Sequence, residues 1–181
     1  MKRKIVTLCI VALLIALAAA GTYSNSVYIQ TTRNVITSGG VDIALLEHTA
    51  DGTPYPKDPV VIMPGDVVSK RVSVENTGSS SAFLWVKLTP GVNDANLSAA
   101  DCIQMDLDLT NWTYQDGYYY YNQILQPGQT TPALLTQVTF VGEKITNAYL
   151  GKMFSLDVAV QAVQSEHNGT DPLQALGWPE T

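Results

Sequence analysis

Cysteine is scarce in this 181-residue chain. One of its two cysteines, Cys9, lies in an apolar N-terminal run that has the features of a removable leader. Cys102 is then the one thiol left, so the sequence excludes an intrachain disulfide and the fold must depend on its apolar core. The strand-like stretch around Cys102 predicts a buried, inert thiol. An intermolecular disulfide is the alternative.

Basic residues are also few. The chain has ten Lys and Arg against sixteen Asp and Glu, a formal net charge of −6. Without the first 24 residues, seven basic residues remain and the net charge is near −9. Such a surface repels nucleic acids and anionic lipid headgroups. We therefore expect no nucleic-acid partner, and contact with a membrane only transiently through the leader.

Motifs for catalysis or metal binding are missing from the sequence. The two histidines, His48 and His167, stand 119 positions apart and neither belongs to the His-Glu-x-x-His pattern of zinc proteases. A transition-metal site needs three or four convergent ligands, so loop positions are expected for both. Phosphate-binding loops, nucleophile elbows and calcium loops are likewise absent from the sequence. The sequence predicts no catalytic, cofactor-binding or metal-binding residues.

A leader is the clearest feature that is present. Basic residues at positions 2–4 precede an uncharged, mostly apolar run from 5 to 20. A membrane-crossing helix needs about 20 apolar residues, and this run is shorter and ends in small residues. The pattern predicts a secretory signal peptide over 1–24, with an uncleaved anchor as the alternative. Small residues allow cleavage after Ala20 or after Ser24; cutting at the second site leaves 157 of the 181 residues, beginning at Asn25.

Apolar and polar residues alternate with a period of two through the rest of the chain. This period is typical of strands with one buried and one wet face. The alternating stretches are 41–45, 68–74, 82–88, 103–109, 134–140 and 154–162. The sequence holds no long amphipathic helix. Residues 171–176 predict a short helical turn with Asp171 as its N-cap.

These stretches predict an all-β fold: an antiparallel β-sandwich that is jelly-roll-like, with an immunoglobulin-like topology as the alternative. Two Pro-Gly turns, at 63–66 and 126–129, separate the strands. We predict an N-terminal strand segment over 25–36 and a single sandwich domain over 37–181.

Four consecutive tyrosines, Tyr118 to Tyr121, form an unusual aromatic run. Tyr is a strong strand former, so the first interpretation is a strand whose rings alternate between the core and the outer face. The alternative is an aromatic surface of Trp112, Tyr118 and Tyr120 on which sugars or a partner would stack. The acidic pair Asp106 and Asp108 is predicted to lie on the wet face of its strand.

Several motifs occur together in one order. They are Gly-Thr-Tyr-Ser at 21–24, Thr-Ser-Gly-Gly-Val-Asp-Ile at 37–43, Met-Pro-Gly-Asp-Val-Val-Ser-Lys at 63–70, Val-Glu-Asn-Thr-Gly at 74–78, Asp-Gly-Tyr-Tyr-Tyr-Tyr-Asn at 116–122 and Leu-Gln-Pro-Gly at 125–128. In this order and spacing the chain resembles, over nearly its whole length, the TasA/camelysin family of exported proteins of Gram-positive bacteria.

The resemblance implies a leader that a SipW-type signal peptidase cuts between Ser24 and Asn25. It also implies a jelly-roll-like sandwich that assembles into extracellular fibres of a biofilm matrix. In that family the freed N-terminal segment is donated as a strand to a neighbouring subunit. The matching donor strand here has Val27, Ile29 and Thr31 on one side.

Three functions follow as hypotheses. The first is a secreted, non-enzymatic matrix or cell-surface protein that self-associates through strand addition and needs no cofactor. The second is a camelysin-like metalloendopeptidase, which the family resemblance suggests although this sequence has no zinc motif. The third is a carbohydrate-binding module that uses the predicted aromatic surface.

Overall fold

A computed structural model describes residues 27–30, 33–37 and 40–178. Within these ranges the chain forms eleven strands and two short 3-10 helical turns. The strands are β1 (Val27–Gln30), β2 (Arg33–Thr37), β3 (Ile43–His48), β4 (Val60–Ile62), β5 (Val67–Asn76), β6 (Ala82–Val92), β7 (Ile103–Leu107), β8 (Trp112–Gln115), β9 (Tyr118–Tyr121), β10 (Leu135–Phe140) and β11 (Met153–Gln164). The helical turns are Asn147–Tyr149 and Pro172–Gln174.

The strands form two sheets that pack on each other. The larger sheet has the order β4-β1-β11-β6-β9-β8, with β2 also paired to β11, and the smaller has the order β3-β5-β10-β7. One hydrophobic core joins their inner faces; Val72 and Val74 of β5 and Leu84 and Val86 of β6 are fully buried in it. Burial of each such side chain stabilises the fold by about 1.5–3 kcal/mol. The prediction of an all-β sandwich is confirmed.

The pairing is antiparallel except at the N-terminal segment. Both β1 and β2 run parallel to β11, whereas the sequence predicted an antiparallel sandwich throughout. A parallel pair needs a long crossover, and here everything from β3 to β10 lies between the two partners in sequence. Strand alternation is the same for either direction, so the sequence pattern carries no information about it.

A β-bulge in β10 interrupts the predicted alternation. Leu134 and Leu135 are both fully buried, because the register shifts between Leu135 and Gln137. The bulge is held by Asp106 of β7, whose carboxylate accepts hydrogen bonds from the Thr136 amide (2.8 Å) and the Gln137 amide (2.7 Å). Asp106 is exposed, as predicted for a wet-face residue, but it also fixes the neighbouring strand.

The hydrogen bonds at the bulge set the acidity of Asp106. Desolvation by burial raises the pKa of its carboxyl, but the hydrogen bonds from Thr136 and Gln137 together outweigh it, so the pKa lies below its ordinary value. A lowered pKa in the folded state adds stability above the unfolded-state pKa of about 3.9. That contribution is lost as the pH falls through the folded-state pKa.

We predict that Asp106→Asn weakens the acid dependence of stability. The wild type should lose more of its urea midpoint between pH 6 and pH 2 than the variant does, because only the wild type must protonate a hydrogen-bonded carboxylate. Asp157→Asn, which removes an exposed carboxylate of β11, is the matched control. Equal losses in the wild type and Asp106→Asn would contradict the assignment.

A third layer covers part of the larger sheet. Phe83 and Trp85 lie on the side of β6 opposite the sandwich core, and yet they are buried, because residues 165–178 fold over them. Ala175 and Trp178 pack in this outer cluster. The short helical turn has Asp171 as its N-cap, with its side chain accepting the Leu173 amide, as predicted.

The two Pro-Gly turns have the same geometry, as predicted. In each, the fourth residue donates its amide to the first carbonyl, Asp66 to Met63 and Gln129 to Gln126, both at 3.0 Å. In each, the side chain of the fourth residue also accepts the amide of the first. The glycine at the third position has a positive φ in both turns, 95° and 75°, which is the conformation that glycine permits.

A buried ion pair stands on the inner face of the smaller sheet. Lys70 interrupts the apolar side of β5 and is completely buried; its ammonium group donates to the Glu47 carboxylate of β3. The Tyr55 ring lies against the pair, with the Lys70 Nζ 4.0 Å from the ring centroid. Burial, with the nearby Glu47 charge, raises the pKa of Tyr55 to about 12.

We predict that Lys70→Met lowers the free energy of unfolding by about 3–5 kcal/mol, because it removes the ammonium group that donates to the buried Glu47 carboxylate. The double variant Glu47→Leu with Lys70→Met removes both charges and should cost less than the two single losses combined. Urea unfolding at pH 7 measures all three variants.

The control for this cycle is Lys152→Met. Lys152 pairs with Asp94 at 2.8 Å, with side chains that are 35% and 24% exposed, and exposed pairs contribute little to stability. Losses of equal size in Lys70→Met and Lys152→Met would show that burial of the Glu47 pair has no special cost.

Candidate strand-addition site

The N-terminal segment lies in a slot of the larger sheet. β1 is an internal strand, antiparallel to β4 on one side and parallel to β11 on the other. β2 continues along β11. The backbone of this segment therefore completes a sheet whose other strands come from distant parts of the chain.

The pairing of β1 and β2 with β11 keeps one register. Tyr28 pairs with Met153 and Arg33 with Val158, a constant difference of 125 positions. The two strands therefore lie along β11 in a single register. Main-chain hydrogen bonds of this kind depend little on side chains, and so a strand of the same sequence from another molecule could form them equally well.

One side chain of the segment is anchored in the core. Ile29 is 1% exposed and belongs to the main hydrophobic cluster, together with Ile62 of β4 and Phe154 of β11. Farther along, Asn34 and Val35 are exposed. Of the residues predicted to form the donor strand, Ile29 is buried, Val27 pairs through its backbone with Ile62, and Thr31 lies outside the described residues.

We predict that Ile29→Ala lowers the free energy of unfolding by about 2–5 kcal/mol, the usual cost of truncating a buried isoleucine. Val35→Ala, at a position that is 42% exposed, should cost clearly less. Thermal and urea unfolding of both variants measure the difference. If the two variants are equally stable, the segment does not occupy the slot in the free protein.

The two histidines lie at separate places in the described chain. Ser24 and Asn25 lie outside the described residues. His48 ends β3 half-buried, and His167 is exposed in a loop with φ of 60°. Among residues 27–30, 33–37 and 40–178, no group of three or more His, Cys, Asp or Glu is placed to hold a metal ion. The same residues contain no helix long and apolar enough to cross a membrane.

The predicted aromatic surface is only partly at the surface. The prediction that Trp112 is a surface residue is wrong. Its side chain is 1% exposed in the sandwich core, where its ring packs against Tyr121 with the ring centroids 5.3 Å apart. Tyr118 and Tyr120 alternate with Tyr121 and lie on the outer side, half-buried. In the β8–β9 pair Trp112 stands opposite Tyr121, so both side chains lie on the core face. The sequence alone did not reveal this register.

The outer rings pack on one another. Tyr118 contacts Trp85 at 4.4 Å with an interplanar angle of 59°, and Trp178 packs edge-on against Tyr120 at 6.0 Å. Lys87 lies over Tyr118, 5.2 Å from the ring centroid. Tilted rings of this kind fill the space beneath the C-terminal segment and do not present one flat stacking face.

Cys102 is buried, as the sequence predicts, at 1% exposure. Its Sγ lies 3.6 Å from the Ser98 carbonyl oxygen and 3.7 Å from that of Lys144. These contacts place the thiol beneath two loops at one end of the sandwich, where it takes no part in the strand slot.

Comparison with known proteins adds little to this geometry. No family model and no curated protein matches the chain. A non-cellulosomal cohesin from the hyperthermophilic archaeon Archaeoglobus fulgidus is similar over 79% of this chain and 94% of its own, with 10% identity and a TM-score of 0.20. A likeness this weak carries no argument, so the fold and the candidate site stand on the strands and contacts of this chain.

Sequence reasoning predicted the β11 strand but missed β4 and the parallel pairing that defines the slot. β4 has only three residues, too few for an alternation pattern. The role of β11 as the parallel partner depends on a pairing across 125 positions, which no local signal carries. The apolar Val60–Ile62 run between two prolines was the one available sign of β4.

Proposed function

We propose that this protein is a secreted, non-enzymatic subunit of an extracellular matrix or cell-surface assembly, and that it polymerises by donor-strand exchange. The observation that carries the proposal is the parallel pairing of β1 and β2 with β11 in one register. The segment that completes the sheet belongs to the N-terminal part of the chain, so it can leave the slot without threading through the fold.

Exchange preserves nearly all contacts of the closed monomer. A second copy that supplies the same segment makes the same main-chain bonds to β4 and β11 and buries the same Ile29 side chain. Swapping an identical element between protomers is therefore a low-cost route to assembly. Because each copy both gives and receives a strand, the contact is head-to-tail and can continue into a filament.

Cleavage of the leader during secretion determines when strand exchange can begin. In this proposal a SipW-type peptidase cuts between Ser24 and Asn25, and the leader holds the segment at the membrane until then. The strong negative charge of the cleaved chain suits a soluble extracellular subunit. Mass spectrometry of the secreted protein should give Asn25 as the first residue, and a leader that remains attached would remove this part of the proposal.

We predict that a disulfide between β2 and β11 blocks polymerisation. Asn34 and Ala159 pair directly, and neighbouring strands lie about 4.8 Å apart, within the reach of a disulfide. The variant Asn34→Cys with Ala159→Cys, expressed from Asn25, should stay monomeric when oxidised and form fibres when reduced. Electron microscopy and light scattering measure both states.

The matched control is Lys87→Cys with Ala159→Cys. Lys87 pairs with Ala159 from the other side, so this disulfide joins β6 to β11 and leaves the N-terminal segment free. It should polymerise in both redox states. Fibres from the oxidised Asn34–Ala159 variant would refute strand exchange. It would also be refuted if the wild type and a form lacking 25–36 both stay monomeric at high concentration.

A further inference from the structure

Most sheet edges of this sandwich carry a feature that discourages pairing with another chain. Edge strands expose unpaired backbone groups, and proteins protect them with short length, proline, inward charges or bulges. β4 has three residues and stands between Pro59 and Pro64. The smaller sheet ends in β3, where Glu47 points inward as a buried charge.

The other edge of the smaller sheet is also protected. β7 pairs with β10 across an irregular register, and its Asp106 carboxylate is tied to the bulge of that strand. Among the described strands β2 pairs with β11 alone, but it begins with the charged Arg33 and belongs to the exchangeable segment.

β8 differs from all of these. Its four residues, Trp112–Gln115, contain no charge and no proline, and they pair with β9 in an unbroken register. In the described chain β9 is its only strand partner. Tyr114 is 57% exposed on this strand, and Leu109 is 61% exposed in the turn before it. Apolar exposure thus coincides with an open hydrogen-bonding edge.

We propose that β8 pairs antiparallel with β8 of a second copy around a two-fold axis, joining two larger sheets into one. The strand is uncharged, and an isologous contact requires only that a surface complement itself. This surface lies at the opposite end of the sheet from the β4–β1 slot, so it is separate from strand exchange and does not rest on it.

The faces of β8 select the register. Trp112 pairs with the core residue Tyr121, whereas Thr113 pairs with the outer residue Tyr120. Cross-strand partners share a face, so both sandwiches continue side by side only if residues of the same parity meet. Placing Tyr114 opposite Tyr114 of the second copy satisfies this rule. It also brings the two exposed rings together, each supported by Tyr119 of its own chain at 4.9 Å.

Repulsion between the two negatively charged copies is small in this register. The nearest acid along the strand is Asp116, in the turn after β8. Each Asp116 would stand opposite Trp112 of the second copy, four residues from the other Asp116, or about 14 Å at roughly 3.4 Å per residue. This distance exceeds the Debye length of about 8 Å at physiological salt.

Cysteine cross-linking tests the contact. Tyr114→Cys should form a disulfide-linked dimer on mild oxidation, because directly opposed residues in an antiparallel pair have Cα atoms about 4.5–5.5 Å apart. Val61→Cys is the matched control, since Val61 is 56% exposed on the opposite edge of the same sheet. The wild type, whose Cys102 is buried, gives the background. Non-reducing mass spectrometry measures the dimer.

A charge variant provides the second measurement. Tyr114→Lys places like charges opposite each other and should weaken the dimer at least about 10-fold in sedimentation equilibrium, whereas Val61→Lys should leave it unchanged. Equal cross-linking of Tyr114→Cys and Val61→Cys, or a Tyr114→Lys variant that dimerises like the wild type, would overturn the proposal. The sedimentation comparison of Tyr114→Lys with Val61→Lys can also be made in the oxidised Asn34–Ala159 variant, where strand exchange is blocked. A failure of strand exchange therefore leaves this test intact.

Discussion

The placement of β11 is the constraint on which the rest of the structure depends. This strand pairs with β6 along Phe154–Gln164 on one side and with β1 and β2 on the other. Its inner residues, among them Leu156 and Val160, fill the core, while Val163 lies under the C-terminal layer. The strand therefore joins the N-terminal strands β1 and β2 and the C-terminal layer to the centre of the fold.

Sequence reasoning reached the fold because its evidence is local. Period-two alternation, the turn at Met63–Asp66 and the cap at Asp171 each depend on a few neighbouring residues and on well-known backbone preferences. The burial of Cys102 follows from the same local pattern. These features agree with one another, as expected for a sequence that specifies one structure.

What the sequence did not yield depends on distant contacts. Strand alternation predicted Leu135 on the wet face, but the bulge places it in the core. Trp112 was predicted at the surface, but it pairs with Tyr121 and is buried. Lys70 was visible only as an interruption in an apolar face; its partner Glu47 lies 23 positions away. The parallel direction of β1 lacks any local signal, although the candidate site consists of it.

The two proposed contacts lie toward opposite ends of one sheet, which separates filament growth from lateral joining. Strand exchange in the slot between β4 and β11 would extend a filament in one direction, and pairing at the β8 edge would join filaments side by side through a two-fold contact. A directional contact and a self-complementary contact on one subunit suffice to build a network. The third layer over Phe83 and Trp85 covers part of the outer face of the same sheet.

The buried state of Cys102 has a practical consequence. Within residues 27–30, 33–37 and 40–178 it is the single cysteine. At 1% exposure its thiol becomes accessible to a labelling reagent only when the surrounding loops or the whole core open. Its labelling rate therefore reports the opening equilibrium directly. Cys102 is therefore a native probe of structural opening. It needs no engineered residue, and its labelling can be measured in the monomer and in an assembly alike.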